Sequence, residues 1–305
     1  MLTIAAAQTG SVQDGGLDAI EALAHAQLDE AGRRGVQLLT FCELFLTPFF
    51  ANRLEEDFDR YFMAEDHPVL RRLAAKAQQH RMALVLPFAE HAAHGYFNSA
   101  HLFDEAGRCV ARYRKTHIPA YFPVPGHGGT GSYEKFYFTP GDLGFTPIDT
   151  SVGRLGVLVC WDQWYPEAAR LMALAGAELL LYPTAIGWDP DDQQAEKTRQ
   201  RDAWVLSHRG HAVANGLPVL SCNRVGHEAS PLASDKHVGA SGIDFWGNSH
   251  VLGPQGEFVA EAGTDPTLLL AEVDMQRSEH VRRIWPFLRD RRIDAYGDLT
   301  KRYRD

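Results

Sequence analysis

The chain contains 305 residues, of which 45% are hydrophobic, and this length accommodates one large α/β domain without requiring a second. Its formal net charge of −9 disfavours nucleic acid and anionic membranes as partners. The longest apolar runs are too short to span a membrane, and the first residues lack the basic segment of a secretory signal.

Short apolar segments alternate with amphipathic segments along the first half of the chain, which predicts a β-α-β beginning. Strands are predicted at residues 2–8, 37–41 and 82–87, and helices at residues 17–34 and 68–80. Residues 98–103 and 109–113 flank the turn sequence Asp104-Glu105-Ala106-Gly107 and therefore predict a hairpin.

The second half repeats this alternation. It predicts strands at residues 155–159, 178–182, 218–222 and 268–273, helices at residues 166–175 and 195–215, and a hairpin of residues 249–252 with 257–260. Two such halves predict two packed β-sheets with helices outside, in a domain of residues 1–275. Residues 276–305 form an arginine-rich tail, helical from Ser278, which is predicted to pack on the domain or at a subunit interface.

Three chemically different side chains each follow a strand-like run: Glu43, Lys115 and Cys160. Ligands of open α/β sheets bind beyond the carboxyl ends of the strands, so we expect these side chains to converge. A carboxylate, an ammonium and a thiol would supply a base, an electrophilic stabiliser and a nucleophile. This set predicts covalent catalysis at a carbonyl-like or nitrile carbon.

The structural alternative for Cys160 is a buried, inert thiol, since free cysteine is commonly buried. The polar residues Asp162 and Gln163 follow it, however, where a core position would more often continue with apolar residues. None of the four cysteines has CxxC spacing, so we expect free thiols in a cytoplasmic protein. Strand alternation turns Cys42 away from the side of Glu43, which predicts a packed core thiol.

The alternative for Glu43 is a solvated carboxylate, but the apolar residues on both sides favour partial burial. Lys115 could be an ordinary surface lysine. It stands, however, before residues 119–131, a proline- and glycine-rich segment that predicts an irregular loop forming a lid or wall of the site. Glu134 is a further carboxylate near a β-prone run, residues 132–138, and by itself indicates little.

The fourteen histidines raise a metal hypothesis that their spacing supports only weakly. His91 and His94 are three residues apart, as are His208 and His211, and a metal site needs at least a third ligand. The chain also lacks a glycine-rich phosphate loop of the dinucleotide or P-loop kind. We therefore expect neither a metal ion nor an organic cofactor.

The order and spacing of Glu43, Lys115 and Cys160 resemble the nitrilase superfamily of carbon–nitrogen hydrolases over nearly the whole chain. The resemblance implies a four-layer α-β-β-α sandwich and homo-oligomers built from dimers. It implies Glu43 as general base, Lys115 as stabiliser of the tetrahedral intermediate, and Cys160 as nucleophile. It also implies that the Trp161 N–H completes the oxyanion hole and that Glu134 orients the lysine.

Longer strings resemble the branch of this superfamily that hydrolyses the N-carbamoyl derivative of the diamine putrescine. These strings are residues 134–142, 160–170, 182–187 and 289–292. The resemblance implies a small-molecule carbamoyl amine as substrate, with the amine, carbon dioxide and ammonia as products. Two features depart from the pattern: the loop of residues 120–132, which is longer than usual, and Cys42, which replaces a proline or glutamine.

A distal ammonium on such a substrate requires a counter-charge, because an isolated buried charge is costly. Asp189 is the candidate partner, since it begins an acidic segment after the 178–182 strand; the alternative is a solvated acidic loop. Trp161, Trp164 and Trp188 are candidates for lining the alkyl channel, although core packing accounts for aromatic residues equally well.

The same triad would also serve an amide, a nitrile or an N-carbamoyl amino acid. The last of these carries a carboxylate, which would require a basic residue where Asp189 is placed. A rival of another class is a non-catalytic binding protein on the same fold. Loss of one triad residue would have supported that reading, but all three are present.

Overall fold

The computed structural model describes residues 1–10, 16–121, 130–229 and 242–304, and fifteen strands and six helices are assigned within them. The strands are β1 (Leu2–Gln8), β2 (Leu38–Phe41), β3 (Ala83–Ala92), β4 (Gly95–Phe103), β5 (Cys109–Arg114), β6 (Ile148–Thr150), β7 (Gly153–Val157), β8 (Leu179–Thr184), β9 (Gly187–Trp188), β10 (Val219–Asn223), β11 (Val225–Glu228), β12 (Ile243–Trp246), β13 (His250–Leu252), β14 (Phe258–Glu261) and β15 (Thr267–Val273). The helices are α1 (Gly16–Arg33), α2 (Pro68–Gln79), α3 (Glu134–Tyr137), α4 (Pro166–Leu174), α5 (Gln194–Asn215) and α6 (Arg277–Ile284).

The first sheet contains strands from the first half of the chain together with the last strand, in the order β15-β1-β2-β3-β4-β5. Strands β1, β2 and β3 are parallel, β4 is antiparallel to β3, and β5 is antiparallel to β4. It follows that β5 points in the same direction as β2. The carboxyl ends of β2 and β5 therefore lie at the same edge of the sheet.

The second sheet has the order β14-β13-β10-β8-β7-β6, in which β7, β8 and β10 are parallel. Strand β8 is fully buried and almost entirely apolar, as expected for a parallel strand covered on both faces. A small third sheet has the order β11-β12-β9, and its Val225 forms a bridge with Gly10, close after β1.

The two large sheets pack face to face with helices outside them. The Cys222 thiol on β10 contacts the main-chain oxygens of Ala7 and Thr40 in the first sheet at 3.4 and 3.5 Å. Helix α2 packs on α1 and β3, whereas α4 and α5 pack on β7 and β10. The predicted four-layer α-β-β-α sandwich is therefore confirmed.

The longer helices begin and end where the sequence indicates. Pro68 occupies the first turn of α2, where its missing N–H has no cost. Helix α5 ends at Asn215, and the following Gly216 has a left-handed φ of +58°, which favours glycine. Such local signals explain why the predicted ends of α2 and α5 fall within one residue of the observed ends.

One segment has a conformation that the sequence did not suggest. The run near Glu134 was expected to be β-prone, but Glu134–Tyr137 forms the short helix α3. The Tyr133 N–H donates to Ala51 O and the Phe138 N–H donates to Glu134 O, both at 2.8 Å, so tertiary contacts and a tight turn override strand propensity here. Strands β6, β9, β11 and β12 were not predicted either.

Two predicted regions need separate mention. The lid or wall proposed for residues 119–131 falls largely on residues 122–129, which lie outside the described residues. Tyr121, just before these residues, forms an antiparallel bridge with Ser132. In the tail, Arg282 Nε donates to Asn215 O at 3.0 Å, which ties α6 to the end of α5. The division at residue 275 stays a prediction.

None of the helices in the described parts of the chain is both long and apolar enough to cross a membrane.

Candidate active site

The three residues selected from the sequence lie just beyond strand ends at one edge of the sandwich. Glu43 follows β2, Lys115 directly follows β5, and Cys160 follows β7. All three residues are buried, and the charges of Glu43 and Lys115 act on the pKa of the Cys160 thiol. The fold therefore brings together a carboxylate, an ammonium and a thiol from distant parts of the chain.

Lys115 is the centre of a buried hydrogen-bonded cluster. Its Nζ donates to Glu43 Oε1 at 2.8 Å and to Glu134 Oε2 at 2.7 Å. Asn98 Nδ2 donates to the same Glu43 oxygen at 2.7 Å, and Asn98 O accepts from the Lys115 N–H at 2.8 Å. The ammonium is thus fixed between two carboxylates.

Glu43 also connects the first sheet to the second. Its Oε2 accepts from the Ala185 N–H at 3.0 Å, and its own N–H donates to Thr184 O at 3.3 Å. Thr184 is the last residue of β8, which pairs with the strand that leads to Cys160. The second sheet therefore aims the carboxylate toward the cysteine.

Cys160 begins a short 3₁₀ helix, Cys160–Trp164, and has a φ of +42°. This left-handed conformation costs a non-glycine residue about 1–3 kcal/mol, and it persists only where surrounding contacts enforce it. The N–H groups at the start of a helix, including that of Trp161, have no partner within the helix. Such a group beside the Cys160 thiol is suited to donate a hydrogen bond to a developing oxyanion.

Burial and neighbouring charge control the protonation of this cluster. Burial raises the pKa of the Cys160 thiol well above its usual value, and the charge of Glu43 adds to this effect. Burial alone would lower the pKa of Lys115, but the charges of Glu134 and Glu43 outweigh it and raise that pKa. Burial raises the pKa of Glu134 to about 7. The site thus places the protonated Cys160 thiol near the Glu43 carboxylate, which can accept its proton.

A small cavity opens beside Cys160. Its described walls are mostly apolar or aromatic and include Phe49, Tyr121, Trp161, Ile186, Ile243 and Phe245. Glu134 also contributes to the lining, whereas the described part of the wall contains no lysine, arginine or histidine. The described part of this lining suits an alkyl chain and carries no basic side chain that could pair with an anion.

The three candidate tryptophans occupy different positions. Trp161 lines the cavity and stacks on Tyr121, with 5.6 Å between ring centroids. Trp164 packs edge-on against Trp161 at 6.4 Å. Trp188 packs on Trp246 at 5.2 Å. Of these three, only Trp161 belongs to the described cavity wall.

Asp189 lies close to the cavity without lining its described wall. It directly follows β9, whose Gly187 does line the cavity. The carboxylate is buried, its Oδ1 accepts from the Asp191 N–H at 3.0 Å, and burial raises its pKa.

The loop after Glu43 is fixed by a buried ion pair that the sequence analysis did not identify. Arg224 Nη2 donates to the main-chain oxygens of Glu43 and Leu44 at 3.2 and 2.7 Å. Arg224 also pairs with Glu228, whose other oxygen accepts from the Phe49 N–H at 2.7 Å. One ion pair therefore holds the backbone from the candidate base to the cavity wall.

Asn98 and Arg224 are the functional-site residues that sequence reasoning missed. A usable signal existed for Arg224, because it follows the predicted 218–222 strand much as Lys115 follows its own strand. No such signal marked Asn98. It lies inside a strand, and only its hydrogen bond to Glu43 distinguishes it from other polar strand residues. The contact depends on the register that places Asn98 opposite Ala89.

The paired histidines that raised the metal hypothesis have other partners. His208 Nδ1 lies 3.0 Å from His250 Nε2, and His211 Nε2 lies 2.7 Å from Gln163 O. Within the residues that the structure describes, no group of three or more histidine, cysteine, aspartate or glutamate side chains is placed to hold a metal ion.

Known proteins resemble this chain along almost its full length. The sequence profile of carbon–nitrogen hydrolases matches residues 3–283. The N-carbamoylputrescine amidase of Arabidopsis thaliana is 39% identical over 280 residues, which cover 91% of this chain and 89% of the plant protein. The citrullinase of Francisella tularensis is 34% identical, and the match covers 91% of each protein.

A solved structure has the same fold. The crystal structure of a carbon–nitrogen hydrolase from Helicobacter pylori G27 superposes with a TM-score of 0.91 at 44% sequence identity, and the match covers 99% of both chains. The sandwich and its strand connections are therefore those of a solved hydrolase.

Proposed function

Since the chain belongs to the carbon–nitrogen hydrolase family, we propose that it hydrolyses N-carbamoylputrescine to putrescine, carbon dioxide and ammonia. Similarity to plant N-carbamoylputrescine amidases over most of the chain supports this substrate. The carrying observation is the buried Lys115 held between Glu43 and Glu134 beside Cys160, because this arrangement supports acyl transfer to sulfur.

In the first half-reaction, Glu43 removes the thiol proton while Cys160 Sγ bonds to the ureido carbonyl carbon. The carbonyl oxygen becomes an oxyanion, which Lys115 Nζ and the Trp161 N–H stabilise. The raised pKa of Cys160 makes this general base necessary, because little thiolate exists before substrate binds. Glu134 keeps the lysine charged and directed toward the oxyanion.

The first half-reaction ends when Glu43 returns the proton to a nitrogen of the tetrahedral intermediate, the C–N bond breaks, and a thioester remains on Cys160. Water then attacks the thioester carbon, with Glu43 accepting the water proton and returning one to the sulfur. The carbamic acid released in this step decomposes to carbon dioxide and an amine or ammonia. The products are the same whichever nitrogen leaves first.

The alkyl part of the substrate fits the aromatic wall of the cavity, where Trp161 and Tyr121 present stacked rings. The distal ammonium requires an anionic partner, and Asp189 remains our candidate because it is buried two residues beyond Gly187, which lines the cavity. Trp164 supports the wall in this proposal through its contact with Trp161, whereas Trp188 packs on Trp246, which follows the wall residue Phe245.

Citrulline is a second candidate substrate, favoured by the 34% identity to a citrullinase. Citrulline is N-carbamoylputrescine with an added carboxylate on the carbon that bears the ammonium. The described cavity wall has no basic side chain to pair with that carboxylate. We therefore expect the amine without a carboxylate to be preferred.

The test measures release of ammonia and of free amine from N-carbamoylputrescine, citrulline, N-carbamoyl-β-alanine, glutamine and a simple nitrile. We expect turnover of N-carbamoylputrescine, abolished by Cys160→Ala and retained by Cys109→Ala, which changes an exposed cysteine outside the site. Preference for citrulline would overturn the substrate assignment and leave the triad intact. No turnover of any compound would favour the binding-protein alternative.

We also propose that the protein is a cytoplasmic homo-oligomer built from dimers and that it acts in polyamine synthesis. All four cysteines are free, which is typical of a reducing compartment. Exposed apolar side chains on α4, α5 and the tail support a subunit interface; they include Leu171, Leu174, Leu206, Trp285 and Phe287. Light scattering coupled to size-exclusion chromatography tests this, and a monomer at micromolar concentration would contradict it.

A further inference from the structure

We propose that Asp162 is a positioning residue that ties the segment carrying Lys115 to the turn carrying Cys160. Its side chain is fully buried, so the carboxylate acts through its neighbours in the protein. The kinetic part of this inference rests on the proposed function, because it requires a measurable turnover. Its structural part does not depend on the substrate.

Four donors meet the two oxygens of the Asp162 carboxylate. Oδ2 accepts from the Tyr113 hydroxyl at 2.7 Å and from the Val159 N–H at 3.0 Å. Oδ1 accepts from the His117 N–H at 3.0 Å and lies 2.7 Å from His117 Nδ1. Each oxygen therefore has two partners, and Oδ2 alone contacts both Tyr113 and Val159.

These partners belong to the two segments that must be aligned for catalysis. Tyr113 and His117 flank Lys115, whereas Val159 directly precedes Cys160. The lysine and the cysteine come from different sheets, so their relative position depends on contacts that cross between the sheets. The Asp162 carboxylate provides such a contact within two residues of the nucleophile.

Aromatic stacking provides a second contact between the Lys115 segment and the turn that carries Cys160. The His117 ring stacks on Tyr165 with 3.7 Å between centroids and 6° between planes. The Tyr165 hydroxyl accepts from Trp161 Nε1 at 3.1 Å. His117 is therefore held by a carboxylate on one side and by an aromatic ring on the other, which fixes the main chain just after Lys115.

The chemistry of the contacts explains why the residue is an aspartate. An amide of the same shape offers one acceptor oxygen and would direct its own N–H groups at two of the four donors. The φ of +42° at Cys160 adds a second requirement, since a strained residue must be held by its surroundings. The Asp162 carboxylate meets that requirement, because it accepts from Val159 beside Cys160 and from residues on both sides of Lys115.

The first test compares Asp162→Asn with the wild-type enzyme under steady-state conditions. We expect kcat to fall about 100-fold and KM to change by less than about twofold, because alignment is lost while the cavity wall is kept. Asp104→Asn is the matched control: Asp104 is also buried and accepts from the Ala106 and Arg108 N–H groups, but in the β4–β5 turn. An unchanged kcat in Asp162→Asn would overturn the proposal.

The second test uses Tyr113→Phe, which removes one donor and decides the question if Asp162→Asn does not fold. We expect kcat to fall about tenfold, the effect of one hydrogen bond to a charged group. In an Asp162→Asn background the same change should cause no further loss, because Tyr113 acts through Asp162. Wild-type kcat in Tyr113→Phe, or losses that multiply in the double variant, would overturn the proposal.

The third test is a crystal structure of Asp162→Asn, or of Tyr113→Phe if the former does not fold, beside one of the wild type. We expect the main chain at Cys160 to relax from its left-handed conformation and the Lys115 segment to move relative to it. Unchanged positions of both would overturn the positioning role. This comparison remains decisive even if N-carbamoylputrescine proves not to be the substrate.

Discussion

Glu43 depends on Asn98 for part of its orientation, since Asn98 Nδ2 binds the carboxylate oxygen that also accepts from Lys115. We expect Asn98→Ala to lower kcat about tenfold with little change in KM, because a hydrogen bond to a charged group contributes about 1.5–3 kcal/mol. Steady-state kinetics measure the effect. Ser99→Ala is the control, because the next residue of the strand projects to the opposite face. Equal losses in the two variants would contradict this role.

Gly141 lies against the lysine segment, and its N–H donates to Lys115 O at 2.8 Å. A Cβ at this position would lie 2.0 Å from Arg114 O and 2.9 Å from Lys115 O. Gly141→Ala must therefore displace the lysine, and we expect kcat to fall about 100-fold. In Gly210→Ala the new Cβ meets no atom within 4 Å, so this helical control should keep kcat and gain about 1 kcal/mol of stability. A similar kcat in both variants would be evidence against the steric argument.

The three candidate catalytic residues were easier to predict than the residues that hold them. Glu43, Lys115 and Cys160 interrupt or follow strand-like runs, so their positions in the sequence already suggested a shared edge. Asn98 and Arg224 gain their roles only from partners far along the chain. Cys42 is buried as expected. Asp162 shows that a polar residue type does not predict exposure: its polarity argued against a core position after Cys160, yet its side chain is fully buried.

At the scale of the elements, long segments with clear periodicity were predicted to within a few residues, whereas short ones were not. Strands β6 and β9 contain only three and two residues, which is too short for a period of two to be visible. Strand β3 continues through His91 into a hairpin with β4 that the predicted strand, ending at residue 87, did not include. Its pairing partner, and not its hydropathy, determines that length.

The loop between β2 and the cavity wall depends on the pair of Arg224 and Glu228. We expect Glu228→Gln to lower the free energy of unfolding by about 3–5 kcal/mol, because it leaves a buried guanidinium without its counter-charge. Urea denaturation measures this. Adding Arg224→Met should recover part of the loss, since no buried charge then remains.

Glu279→Gln provides the control for that experiment. Glu279 pairs with Arg283 on α6, and both side chains are more than two-thirds exposed. Solvent screening makes such a pair worth less than about 1 kcal/mol. A loss in Glu228→Gln no larger than in this control would show that the buried pair does not stabilise the loop.

At the scale of the whole molecule, the two-sheet architecture followed from the repeated order of strands and helices, but the relative placement of the sheets did not. Contacts such as Glu43 with Ala185 and Cys222 with Ala7 join the sheets across large separations in sequence. Hydropathy identifies which strands are buried without specifying which face meets which. The convergence of the candidate site at one edge was predicted, whereas its cross-sheet hydrogen bonds were not.

Buried histidines make the stability of the whole molecule dependent on pH. Burial lowers the pKa of His101 and of His250 to about 4, and burial lowers that of His208 well below its usual value. The unfolded chain binds protons at these sites below about pH 6.5, whereas the folded chain does not until about pH 4. We therefore expect the contribution of these three histidines to stability to be constant above pH 6.5 and to fall as the pH decreases from 6.5 toward 4.

His101→Leu isolates one part of this dependence, because His101 Nε2 is buried without a hydrogen-bond partner. Between pH 6.5 and pH 5 the variant should lose about 2 kcal/mol less than the wild type. Denaturation curves across this range measure the difference. Parallel pH profiles for the two proteins would show that His101 does not contribute.

The protonated state of the Cys160 thiol affects how readily the protein is oxidised by peroxide. Peroxides oxidise thiolates, and a thiol whose pKa is raised by burial presents almost none at neutral pH. In the proposed mechanism, the nucleophile is generated only when Glu43 takes the thiol proton as the sulfur attacks a bound carbonyl carbon. We therefore expect the resting enzyme to resist conversion to the sulfenic acid, and to keep its activity at hydrogen peroxide concentrations that inactivate hydrolases with a standing thiolate.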